Sequence, residues 1–214
     1  MMDMTNRCSG PYESNEPINS TSYIYRSYSL PSRNTIFPVG DIKANSELFQ
    51  MPISSISIRG TEIPDGQVFH FILALISPMD EQSVRRSITL NNSPSYTDLN
   101  HLMRGVLLVE YHRDDAAEYL DGNTAPSFET PLAPGTTAAT ICNYLLNEHV
   151  FERYDFNENG QGCRHWCAVA LHKLAEAGFL EADVGRRFEQ FEKEQHAVWG
   201  SKLPMPRIRG SFYE

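Results

Sequence analysis

The chain has 214 residues, 41% hydrophobic and 21% charged, proportions that exclude wholesale disorder and fit one domain. Its 18 basic and 27 acidic residues give a net charge of −9 at pH 7, which argues against a general nucleic-acid binder because phosphate neutralisation supplies most non-specific affinity. The longest apolar run, residues 68–76 interrupted by His70, falls short of the roughly 20 residues that cross a bilayer, so no membrane association is expected.

Residues 1–35 are rich in Ser, Asn, Pro and Tyr without a sustained period, and read as a flexible arm with a short extended piece at 22–28. Residues 36–214 then read as a single domain. Ile53, Ile56 and Ile58 alternate with serines as a weak strand. Residues 68–77 are apolar on both faces apart from His70, the pattern of a strand central to a sheet. Residues 84–90 alternate as a half-exposed strand, and Asn91-Asn92-Ser93-Pro94 reads as the turn that closes it. Val106, Leu107, Leu108 and Val109 mark a further buried strand over 105–111.

A loop with Pro126, Pro131, Pro134 and Gly135 leads to Thr136 and Thr137, which are suited to cap a helix over 138–148. The clearest helix runs from Cys163 to Ala177 and stops at Gly178. Its apolar stripe is Cys163, Trp166, Cys167, Ala170, Leu171 and Leu174, with Arg164, His172, Lys173 and Glu176 largely on the other side. A more charged helix over 182–198 has Phe188, Phe191 and Val198 as anchors. Strands first and helices later predict an α+β fold, with C-terminal helices packed on a mixed or antiparallel sheet.

Cys8, Cys142, Cys163 and Cys167 are too few for a disulfide scaffold and lack zinc-ligand spacing, so reduced thiols and no metal are expected. No charged head followed by an apolar stretch opens the sequence, and a cytoplasmic location is expected. Residues 149–214 hold 9 of the 18 basic residues and four of the seven histidines.

Two groups of residues carry chemistry. Gly160-Gln161-Gly162-Cys163 places a thiol at a helix start, where amides and dipole favour thiolate and loop amides can form an oxyanion hole. His70 on a central strand is the matching base, with His165 and His172 as rivals. A strand histidine followed by a helix-start cysteine is the layout of papain-like thiol enzymes of permuted order. The alternative is structural, with Cys163 a small core residue and His70 a satisfied core histidine.

The second group follows the strand over 105–111. Asp114, Asp115 and Glu118 fall on one face if the chain turns helical, and three like charges there call for a metal, a cationic ligand or a helix N-terminus. An Asp N-cap with acidic first-turn residues is the structural alternative. Asp114-Asp115-Ala116-Ala117-Glu118 resembles the Asp-Asp-x-x-Glu motif regarded as essential in fungal arginine-containing cyclodipeptide synthases. The segment from Phe156 to Cys167 also resembles a stretch found in uncharacterised fungal proteins of this size.

The first resemblance implies a cytoplasmic enzyme of secondary metabolism that joins arginine, taken from arginyl-tRNA, to a second amino acid as a diketopiperazine, with no cofactor beyond the aminoacyl-tRNA substrate. On that reading Asp114, Asp115 and Glu118 bind the guanidinium and remove a proton, Arg164 contacts substrate, and Cys163 is the acyl carrier. Arg186, Arg187, Lys193, Lys202, Arg207 and Arg209 would face the tRNA. The other readings are a thiol hydrolase or acyltransferase using Cys163 and His70, and a non-catalytic binding module.

Overall fold

In a computed structural model, residues 49–63, 66–81, 85–96, 100–113 and 125–214 are described, with the backbone of 23–25 and 37–38. The fold is α+β. Strands β1 (Tyr23–Tyr25), β2 (Phe37–Pro38), β3 (Ser55–Thr61), β4 (His70–Ile76), β5 (Arg86–Pro94), β6 (Gly105–Arg113) and β7 (Ser127–Pro131) form one sheet in the order β2-β1-β6-β5-β4-β3-β7. Every pairing in it is antiparallel. The extended piece expected near 22–28 is β1, which pairs with β6 through Ile24 opposite Val109.

Helix α1 (Ala138–Cys142) continues as a π-helical turn over Asn143–Glu148. Thr137 caps it by accepting a hydrogen bond from the Thr140 N–H at 3.2 Å. Helices α2 (Cys163–Glu176) and α3 (Val184–Trp199) follow. Gly178, at φ 77°, takes the left-handed position that ends α2. A second sheet pairs β8 (Tyr154–Asp155) with β9 (Ser211–Phe212), bringing the tail back beside the loop that leads into α2. Among the described residues no helix is long and apolar enough to cross a membrane.

Strand alternation decides what the sheet presents to the helices. Ile56, Ile58, Phe71, Leu73, Leu75, Ile88, Leu90, Leu107 and Val109 are buried together on one face. Cys163, Trp166, Cys167, Ala170, Leu171 and Leu174 of α2 close over them. The opposite face is also buried but mixed, with Ala74 and Ile76 beside Ser55, Ser57 and Arg59. There Arg59 Nε donates to Ser57 Oγ at 3.0 Å, and Ser55 Oγ to Glu129 Oε1 at 2.6 Å.

Several expectations are corrected. The predicted turn Asn91-Asn92-Ser93-Pro94 is the second half of β5, and Ser87, Ile88, Thr89 and Leu90 are buried on both faces. Asn and Ser favour turns by bonding their own backbone; here the ladder with β6 takes the backbone, and Pro94 falls at the strand's last position. Prolines disguised β7, an edge strand bounded by Pro126 and Pro131. Val198 is 70% exposed and anchors nothing, while the next residue, Trp199, packs edge-on against Phe69 at 5.1 Å.

Arg164, expected on the solvent side of its helix, is buried. Its Nε lies 3.1 Å from Glu192 Oε1 of α3, and its Nη2 donates to the Pro204 carbonyl. Arg207 Nε also donates to Glu192 Oε1, at 2.7 Å. One buried carboxylate therefore holds two guanidinium groups and ties α2, α3 and the tail. Removing one partner of such a cluster leaves uncompensated buried charge, at a cost of about 3–5 kcal/mol. Glu192→Ala should accordingly lower unfolding stability by roughly that amount, read from the urea midpoint. Exposed Glu189→Ala on the same helix should stay within about 0.5 kcal/mol of the parent.

Candidate active site

Cys163 is the first residue of α2 and follows Gly160-Gln161-Gly162. Gly162 has φ 142°, a conformation that L side chains rarely adopt, and a Cβ there would lie 2.8 Å from the Tyr154 hydroxyl. That hydroxyl donates to the Gly162 carbonyl at 2.8 Å and accepts the Gly210 N–H at 2.8 Å. The tail and the glycine loop thus share one anchor just before the thiol.

Cys163 meets the sheet where β4 and β5 part. Their ladder runs from Ile76–Ser87 to Leu73–Leu90 and goes no further. Beyond it the Phe71 N–H donates instead to Cys163 Sγ at 3.2 Å. The His70 ring adjoins the same sulfur closely enough for each to shift the other's titration. The His70 ring places Nε2 2.7 Å from Asn91 Oδ1 of β5. Thiol, imidazole and carboxamide thus come together from α2, β4 and β5.

The electrostatics follow from that arrangement. Burial pushes the Cys163 thiol up, but the His70 hydrogen bond and charge, with the N–H groups of Phe71 and Arg164, outweigh it and hold the thiol below its ordinary value. Burial pushes the His70 ring down; the hydrogen bond and charge of Cys163, then the bond to Asn91, raise it overall. Both shifts favour transfer of the thiol proton to the ring. The other two described cysteines behave oppositely. Burial pushes Cys142 up to about 12 and Cys167 well above the ordinary range, as inert core thiols.

A pocket of about 430 Å³ opens beside the sulfur, walled by the glycine loop, the start of β4 and the tail. Gln161 lines it. The Cys163 N–H belongs to the first helical turn, where amides lack intrahelical partners. It and the Gln161 side chain are the donors at hand for a developing oxyanion.

The other expected residues are placed as follows. Arg164 borders the pocket with its guanidinium engaged by Glu192 and Pro204. His165 Nδ1 lies 3.2 Å from the Tyr154 hydroxyl, and His172 pairs with Glu176 on the exposed side of α2. Asp114, Asp115 and Glu118 lie outside the described residues. Of the basic residues expected to face tRNA, Arg186 pairs with Asp183, Arg187 with Glu181 and Asp183, Lys202 with Glu62, and Arg207 with Glu192. Among the described residues no group of three or more His, Cys, Asp or Glu side chains is placed to hold a metal ion. Asn91 and Gln161 are the residues that sequence reading did not single out by role. Asn91 was legible only as a turn former, and Gln161 only as part of a glycine loop.

No curated protein and no solved structure matches the chain. The model of a domain of unknown function, DUF7770, matches residues 59–213, a span that includes His70, Asn91 and Cys163. By that match over most of its length, the chain belongs to the DUF7770 family.

Proposed function

We propose that the protein is a thiol acyl-transfer enzyme, a hydrolase or acyltransferase, in which Cys163 is the nucleophile, His70 the acid–base residue and Asn91 its orienting partner. The observation that carries this reading is the Cys163 thiol set beside the His70 ring, whose Nε2 lies 2.7 Å from Asn91 Oδ1. The thiolate adds to an acyl carbonyl, and the oxyanion takes hydrogen bonds from the Cys163 N–H and Gln161. His70 gives its proton to the departing oxygen or nitrogen, leaving a Cys163 thioester. Water or an amine, deprotonated by His70, then attacks the thioester and returns the thiolate. Asn91 fixes the ring orientation, as a third group does in nucleophile–base arrays generally. A reducing compartment such as the cytoplasm suits a free thiolate of this kind.

A second reading keeps the same thiol. An arginine-containing cyclodipeptide synthase transfers activated aminoacyl esters, and a carrier nucleophile such as Cys163 suits that chemistry. Asp114, Asp115 and Glu118 would hold the arginyl guanidinium by charge-assisted bonds, with arginyl-tRNA and a second amino acid as partners and no other cofactor. Cells expressing the protein should then accumulate arginine-containing cyclic dipeptides detectable by mass, lost in both Asp114→Ala and Cys163→Ala. A product that survives Cys163→Ala would remove the thiol from that synthesis.

The primary reading is tested by alkylation. With iodoacetamide at pH 6, intact-mass and peptide analysis should find Cys163 modified at least tenfold faster than Cys142 or Cys167. The sign of the pH dependence follows from the two shifts. A lowered thiol and a raised imidazole put the ion pair between the two apparent steps, so the alkylation rate should rise with pH below the ordinary thiol range. His70→Ala leaves burial unopposed by the ring and should move that rise above the ordinary range. Asn91→Ala should fall between. Alkylation of Cys163 no faster than of the core cysteines would overturn the assignment.

A further inference from the structure

We propose that the pocket beside Cys163 receives an apolar acyl group, so that the thioester formed there carries an aliphatic or aromatic chain and not a cationic one. This inference rests on the thiol acyl-transfer reading and names its donor class. Ile63, Val68, Phe69, Phe71, Pro204 and Ile208 supply its apolar wall. The only charged side chains on it besides His70 are Arg164 and Lys202, both cationic, and no carboxylate lines it among the described residues.

Both cations already have a carboxylate partner. Arg164 is held by Glu192, and the Lys202 ammonium lies 2.5 Å from Glu62 and 5.6 Å from the centre of the Phe69 ring. An incoming guanidinium or ammonium would lose hydration against apolar walls and find no carboxylate of its own there, since Glu192 and Glu62 are already paired. Ile63 at the rim is 48% exposed, apolar surface that a bound chain would cover. The tail contributes Pro204 and Ile208, and the Glu192 cluster that holds Arg207 fixes this wall in place. If the protein makes a cyclic dipeptide, the residue carried on Cys163 is therefore the apolar partner of arginine.

In the step itself a bond forms between Sγ and the acyl carbon while the carbon–oxygen bond of the donor ester breaks. The departing oxygen leaves with the bonding electrons and takes the proton from His70. Burying each methylene favours the longer chain by about fourfold, so four added methylenes give ample range.

The test compares p-nitrophenyl acetate, p-nitrophenyl hexanoate and the p-nitrophenyl ester of an Nα-blocked arginine. It follows nitrophenolate release and the mass added at Cys163. Hexanoyl transfer is expected to be at least tenfold faster than either acetyl or arginyl transfer. Ile208→Asp, or the milder Ile208→Ser, should reduce the hexanoyl-to-acetyl ratio, by at least tenfold for the aspartate. Arginyl transfer as fast as hexanoyl, a ratio unchanged by Ile208→Asp, or no acyl adduct at all would overturn the apolar pocket, provided Cys163 still alkylates with iodoacetamide. Loss of alkylation as well would overturn the thiol reading on which the pocket depends.

Discussion

A thiol and an imidazole brought together between a helix and a sheet are the constraint on which the rest of this molecule turns. Moving a thiolate and an imidazolium out of water costs several kcal/mol per ion in a protein interior, and Cys163 is only 8% exposed. Mutual attraction offsets part of that cost. The remainder is met by fixed dipoles: the Phe71 N–H on the sulfur, the start of α2, and Asn91 on the ring Nε2. None of these can be supplied by solvent in a dry cleft. The sheet must therefore part at the right place, which it does where the β4–β5 ladder stops at Leu73 and Leu90.

That parting explains how residues 70, 91 and 163 come to meet. Antiparallel pairing of β4 with β5 brings the two strands side by side, so a residue before the ladder on one falls near a residue after it on the other. His70 and Asn91 occupy those two positions. A continued ladder would have given the Phe71 N–H a carbonyl partner. Because it ends, the amide is left for a sulfur brought in by the helix. The stripe of α2 behind Cys163 buries Trp166, Cys167, Ala170, Leu171 and Leu174 against the sheet. Packing thus sets the depth to which the sulfur enters, and the cost of exposing that stripe keeps it there.

Much of this was legible in the sequence, for reasons that also explain the gaps. The period of 3.6 in α2 and the apolar run of β4 are dense local signals, so the helix and the central strand emerge from spacing alone, while His70 was one of three candidate bases for Cys163. Asn91 did not emerge, because asparagines before a proline are turn formers by local chemistry, and only the partner strand β6 overrides them. Arg164 misled in the same way. It reads as a solvated residue on its own helix, and its burial depends on a contact with Glu192 of α3 that no single-helix pattern encodes. The acidic trio at 114–118 was the most conspicuous local motif, and it lies outside the described residues.

The glycine loop before Cys163 is shaped by a tyrosine as much as by its own flexibility. Burial pushes the Tyr154 phenol far up, so it remains a hydroxyl able both to donate and to accept. It donates to the Gly162 carbonyl, accepts the Gly210 N–H and lies beside His165, joining the loop, the tail and α2 at one oxygen. A Cβ at Gly162 would come within 2.8 Å of that oxygen and one at Gly210 within 2.6 Å of it, closer than side-chain carbons pack. Both positions must be glycine for the tyrosine to occupy the gap. The tyrosine in turn holds the backbone from which the Cys163 amide points. Backbone freedom at two glycines is thereby converted into a fixed direction for one N–H, the geometry an oxyanion site requires.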